Sequence, residues 1–324
     1  MKGPERFEYF LTKLEELLSQ SAKELNPALW LYSNNARTPL FMLEGLSRLY
    51  SKMHNKNKFE KLKDHFKLLE DGLGAIDYYD NEAKKPGLPA DISDYLRGQA
   101  REKLQHLNEI LTDKEWIGEN ADRLKKIRKK LSEADWLREE EEEAEKVKSV
   151  YEEEITSIKA FIKEAGPEFS EMETQVHEIR RDLRWLSIYP QALRGLIQLK
   201  ETNQTETATA KYLTPEIVNS PYNKMPDRNG LSYILYLDKN YFLSLSWLIA
   251  ETGVIKDKGL GIFAVAEAVQ QIQNCSSTEA KAKACAILNV DPSFEDQLLK
   301  DASALCNQFI KEGIPDKILL GVAA

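Results

Sequence analysis

The stretch TQVHEIRRDLRWLSIYPQAL, residues 174–193, decides how the chain is read. Its aliphatic residues recur at spacings of three and four, so a helix buries Val176, Ile179, Leu183, Leu186 and Leu193 on one broad face. The same projection puts His177, Arg180, Arg181 and Arg184 within about 100° of arc on the opposite side. Four donors on one helical face can line a groove for an anion, because guanidinium forks match the oxygens of phosphate. A histidine adds a donor that strengthens as it protonates. The alternative is an ordinary surface helix whose arginines pair with Glu178 and Asp182.

Working outward, the helical pattern continues in both directions. Phe7, Phe10, Leu11, Leu14, Leu17 and Leu18 predict a helix over residues 5–25, followed by helices at about 29–52 (with Pro39 inside), 59–73 and 91–111. Residues 116–165 are charge-dense, RLKKIRKK giving way to REEEEEAEKVKSVYEEE, but Leu124, Ile127 and Leu131 keep an apolar stripe. With eleven cations against fourteen anions, this region reads as solvated helix rather than a nucleic-acid patch. A break at AGPEF precedes the helix holding the opening stretch, which is expected to run to about Lys200. Residues 201–232 then gather Thr, Asn and Pro and read as a long loop. Helices at 239–251, 260–273, 277–288 and 292–312 complete an all-α chain. Three segments are expected: a helical bundle over 1–115, connecting helices over 116–165, and a second bundle over 166–324.

Composition narrows the functions. The chain has 324 residues, 42% hydrophobic and 30% charged, and a net charge of −8, which argues against attraction of the whole protein to nucleic acid or a membrane surface. Any anion site must be local. The N-terminal MKGPERFEYFLTKLEELL lacks a signal-peptide core, and the most apolar window, YFLSLSWLIAETGVI, is too short to span a bilayer. Cys275, Cys285 and Cys306 have no CxxC or zinc-finger spacing. Together these predict a cytoplasmic protein. His54, His65 and His106 show no paired-ligand spacing, and neither a GxSxG nor a clustered acidic motif occurs, so no metal, cofactor or catalytic group is expected.

VHEIRRDLRWL resembles the signature of the CHAD family, the conserved histidine α-helical domain, in which a helix opens with histidine and continues with spaced arginines. His177, Arg180 and Arg184 match those positions, while Trp185 and Ser187 stand where the family usually has arginine. TGVIKDKGL, residues 252–260, is similar to the family's glycine step, with Lys256 in the arginine place and Asp257 in the aspartate place. The family is built from two helical-bundle repeats, and the first half can be laid on the same pattern. SNNARTPLFMLEGLSRLY, residues 33–50, matches 176–193 at a constant offset of 143. Asn34 replaces the histidine, Arg37 keeps the first arginine, Phe41 and Met42 replace the next two, and Arg48 falls at a later basic position. The glycine steps, LGAIDYYD at 73–80 and TGVIKDKG, differ by 179, and Asp77 stands in the arginine place, where it would oppose an anion.

The resemblance implies a non-enzymatic protein binding inorganic polyphosphate or another phosphate-rich anion. Its anion-binding residues would be His177, Arg180, Arg184 and Lys256, with Arg37, Arg48 and Arg181 as secondary contacts. The competing reading is a scaffold for a protein partner that has lost its anion row, which Phe41, Met42, Asp77 and Trp185 favour. A metal-dependent phosphohydrolase has little in the sequence to support it.

Overall fold

The apolar spacing near the N-terminus produces the expected helix: α1 (Gly3–Ser21) buries Phe7, Phe10, Leu11, Leu14 and Leu18. The computed structural model describes residues 2–202, 208–228 and 230–324. The helix expected at 29–52 is two helices, α2 (Pro27–Ser33) and α3 (Arg37–Met53). Between them Asn35 adopts φ 54°, a left-handed conformation that Asn tolerates better than most residues. Pro39 falls in the first turn of α3, where a backbone N–H has no intrahelical partner, so it helps start the helix instead of kinking it.

Next come α4 (Lys56–Ala83) and α5 (Ala90–Asp113), both longer than the apolar spacing suggested. The charge-dense region forms α6 (Arg123–Ser132) and α7 (Glu140–Glu164), each with one buried face. Four glutamates in the first turn of α7 oppose the positive end of its dipole. A wider, π-type helical turn at Met172–His177 leads into α8 (Glu178–Ala192).

The helix does not reach Lys200. Arg194 and Gly195 take φ of 50° and 104°, which breaks the helical repeat, and the chain turns into strand β1 (Ile197–Lys200). Glycine is required there, because a Cβ on Gly195 would collide with the carbonyl oxygen of Asp227. In the loop region lies a short helix, α9 (Pro215–Val218), capped by the Thr214 hydroxyl. Strand β2 (Ile234–Asp238) follows, then α10 (Lys239–Gln273), α11 (Ser277–Ile287), α12 (Phe294–Lys311), α13 (Ile314–Lys317) and strand β3 (Leu319–Ala323). Two helices were expected where α10 runs unbroken for 35 residues. Gly253 inside it costs only about 1 kcal/mol of helix propensity, and burial of Tyr241, Phe242, Leu245, Leu248, Ile262, Val265 and Val269 outweighs that.

The chain is therefore all-α apart from a small sheet that the apolar pattern did not reveal. Its order is β1-β2-β3, with β1 parallel to β2 and β3 antiparallel to it. Ile197 pairs with Leu235 and Tyr236 with Gly321, so the sheet joins the end of α8 to the start of α10 and the C-terminal segment. The main apolar core runs from Phe7 to Ile318 across the expected boundaries at 115 and 165. A smaller cluster joins Ile92 and Leu96 to Ile262, Val265 and Ala284. Among the described residues, no helix is long and apolar enough to cross a membrane.

Candidate functional site

Helix α8 supplies the arginines, and α3 is its neighbour. Val176, Ile179, Leu183, Leu186 and Leu193 are buried as expected, but so are Trp185 and Tyr189, so this helix is packed on most of its circumference. Gly45 allows the approach of α3, since a Cβ there would lie 2.9 Å from Ile188 and 3.5 Å from Trp185. The projection that put all four cations on an outer face is corrected by this packing. Arg180 and Arg184 point into the junction of α8 with α10 and α3, while Arg181 stays on the outside, paired with Glu178.

Two guanidiniums meet at Phe41. Arg184 lies over its ring at 4.5 Å and Arg37 at 5.2 Å, an arrangement in which the aromatic face offsets part of each charge. Arg37 and Arg180 are close enough that the charge of one suppresses ionisation of the other. Each of these two arginines lies against a glycine on the flanking helix. A Cβ on Gly74 would come 3.1 Å from Arg37 Nη2, and one on Gly253 would come 2.9 Å from Arg180 Nε.

Their partners differ. Arg37 donates through Nε and Nη2 to Glu70 Oε1 at 3.0 and 2.6 Å, and through Nη1 to Asp77 Oδ2 at 3.0 Å. Among the described residues, Arg180 donates only to the backbone carbonyl of Ile249, at 3.3 Å. Among the described residues, neither Arg180 nor Arg184 forms an ion pair with a carboxylate.

The electrostatics follow from that difference. Burial pushes Arg184 down to about 10, and the like charges of Arg180 and Arg37 add to the effect. Arg180 also lies below its ordinary value, from burial and from Arg37, although Asp257 pulls the other way. Across the site Glu44 is pushed up to about 7 by burial and by the neighbouring Glu70. The result is a half-buried positive pair facing Glu70, which Arg37 engages, Glu44, which resists ionising, and Asp257, which pairs with Lys256.

The remaining candidates are satisfied elsewhere. His177, at the entry to α8, has Nδ1 3.0 Å from Glu173 Oε2. Lys256 pairs with its neighbour Asp257 at 2.8 Å, and Asp257 in turn acts on Arg180, which places Lys256 at the edge of the cluster. Arg48 belongs to a separate knot: its Nη2 bridges both oxygens of Glu154 at 3.1 and 3.2 Å, and it lies over Trp185 at 5.5 Å. Tyr189 and Lys52 also reach Glu154. Of the seven predicted anion contacts, then, Arg37, Arg180 and Arg184 converge, Lys256 adjoins them, and His177, Arg181 and Arg48 have local carboxylate partners.

Sequence reasoning missed Glu44 and Glu70. Glu70 had a readable signal, since it lies four residues before Gly74 and seven before Asp77, on one face of α4. Glu44 had none, because its role depends on how α3 meets α4. Among the described residues, no group of His, Cys, Asp and Glu could hold a metal ion. The thiols of Cys285 and Cys306 are buried, and burial raises Cys306 to about 12. No protein-family model matches this chain, and no curated protein or solved structure matches it either.

Proposed function

We propose that this is a non-enzymatic, CHAD-like protein of two related helical halves that binds a phosphate-rich anion, with inorganic polyphosphate as the ligand class the resemblance implies. The observation that carries the reading is the pair Arg180 and Arg184, both half-buried and neither in an ion pair with a carboxylate among the described residues. Removing a charge from water costs several kcal/mol unless an opposite charge compensates, and an incoming anion would supply that compensation. Phosphate oxygens suit guanidinium donors, each charge-assisted bond contributing about 1.5–3 kcal/mol. A cytoplasmic setting fits the three unpaired cysteines.

A second reading, a scaffold for a protein partner, is favoured by one specific observation. Arg37 and Arg48 are held by Glu70, Asp77 and Glu154, so the outer cations of the supposed row are already neutralised. Titration with long-chain polyphosphate at low and moderate salt separates the two. The anion reading expects binding that weakens with salt and disappears in the Arg180→Gln, Arg184→Gln double variant. If the wild-type chain shows no binding at low salt, the scaffold reading replaces it.

A further inference from the structure

The offsets that align the two halves are matched by contacts in space. Residues of α3 and α8 that differ by 143 face each other: Arg37 with Arg180, Phe41 with Arg184, Gly45 with Ile188. Residues of α4 and α10 that differ by 179 play the same part toward their own arginine. Gly74 lies under Arg37 and Gly253 under Arg180. Arg37 bonds the side chain of Glu70, and Arg180 bonds the backbone of Ile249, which is the position 179 residues later. By the same offset, Asp77, which pairs with Arg37, corresponds to Lys256.

Each half thus has one place in front of its first arginine. In the first half Glu70 and Asp77 fill it with two carboxylates. In the second half the same two positions are Ile249, which has no charge, and Lys256, which has the opposite one. Resting on the anion-binding reading above, we infer that the second-half place takes a single phosphoryl group, held by Arg180, Arg184 and Lys256, where the first half holds its own acids. The ligand is then a terminal phosphoryl group, whether a chain end or a phosphomonoester. A polymer extended along the row would next meet Arg37, whose charge Glu70 and Asp77 already take up.

The test uses pyrophosphate, phosphoserine and long-chain polyphosphate, with calorimetry for affinity and stoichiometry. The wild-type chain is expected to bind pyrophosphate at one site per chain. By analogy with counterion release, three cation contacts correspond to a slope of log K against log salt of roughly −2 to −3. Phosphoserine binding as tightly as pyrophosphate assigns the site to monoesters, and pyrophosphate binding at least tenfold tighter assigns it to chain ends. Long polyphosphate whose slope reaches −5 or steeper overturns the single-group inference while leaving anion binding intact.

Two variants check the location. Lys256→Asp copies the first half's Asp77, so pyrophosphate affinity should fall at least tenfold. Undiminished affinity overturns the inference. Lys256→Gln removes the charge without adding an acid and should also lower the affinity, with one site per chain kept. A Lys256→Gln chain that binds pyrophosphate as tightly as the wild type overturns the inference. A wild-type chain that binds none of the three probes removes the anion reading and this inference together.

Discussion

At the scale of single residues, the site is governed by which charges find a partner. Arg37 and Arg180 occupy matching positions, yet one is locked by two carboxylates and the other, among the described residues, hydrogen-bonds a backbone carbonyl alone. Glu44 shows the same logic in an acid. It is buried among Glu70 and Asp71, with Lys67 and Lys63 offsetting them only in part, and its carboxyl is pushed up to about 7. Since its unfolded value is near 4.5, the unfolded chain loses this proton first as pH rises. Stability therefore falls between about pH 4.5 and 7, and the full cost is present above pH 7. Glu44→Gln should gain roughly 1–3 kcal/mol at pH 8 and little at pH 4.5, read from urea unfolding at the two pH values. Equal effects at both pH values would refute this account of Glu44.

At the scale of elements, helix contacts decide what local pattern leaves open. The α3–α8 junction closes over Gly45, where any side chain would press on Ile188 and Trp185. Gly45→Val should lose about 1–3 kcal/mol through overpacking. In contrast Gly98, in the middle of α5 with nothing near its missing Cβ, should gain about 0.5–1 kcal/mol on change to Ala. Thermal unfolding of the two variants tests whether the junction or the propensity of glycine sets the effect. The helical periods of α1, α5, α7 and α12 could be read from apolar spacing because each has a single buried face. That signal vanishes in α10, which is buried on several sides, so apolar spacing alone does not join its two ends. Strands β1, β2 and β3 are runs of four or five residues, too short for an apolar run to be distinguished from a helix end.

For the whole molecule, the long-range ties lie at buried polar groups as well as in the core. Arg6 of α1 is fully buried and donates to Tyr50 of α3 and Glu143 of α7, both at 2.7 Å, so one side chain holds three segments of the chain. Arg6→Ala leaves Glu143 buried without its cation and should cost about 3–5 kcal/mol, measurable as a lower urea midpoint. An unchanged midpoint would show that the tie contributes nothing. The sequence by itself determined that the chain is helical, where most of its helices lie and which residue types could meet an anion. Those properties follow from local periodicity and from charge, which each segment carries alone. Only the tertiary structure decided that Arg180 and Arg184 turn inward, that Glu70 and Asp77 occupy Arg37, and that a small sheet ties α8 to the C-terminal segment. Whether a charge stays available depends on which helix packs against it and how much water that packing removes, and no single segment encodes either.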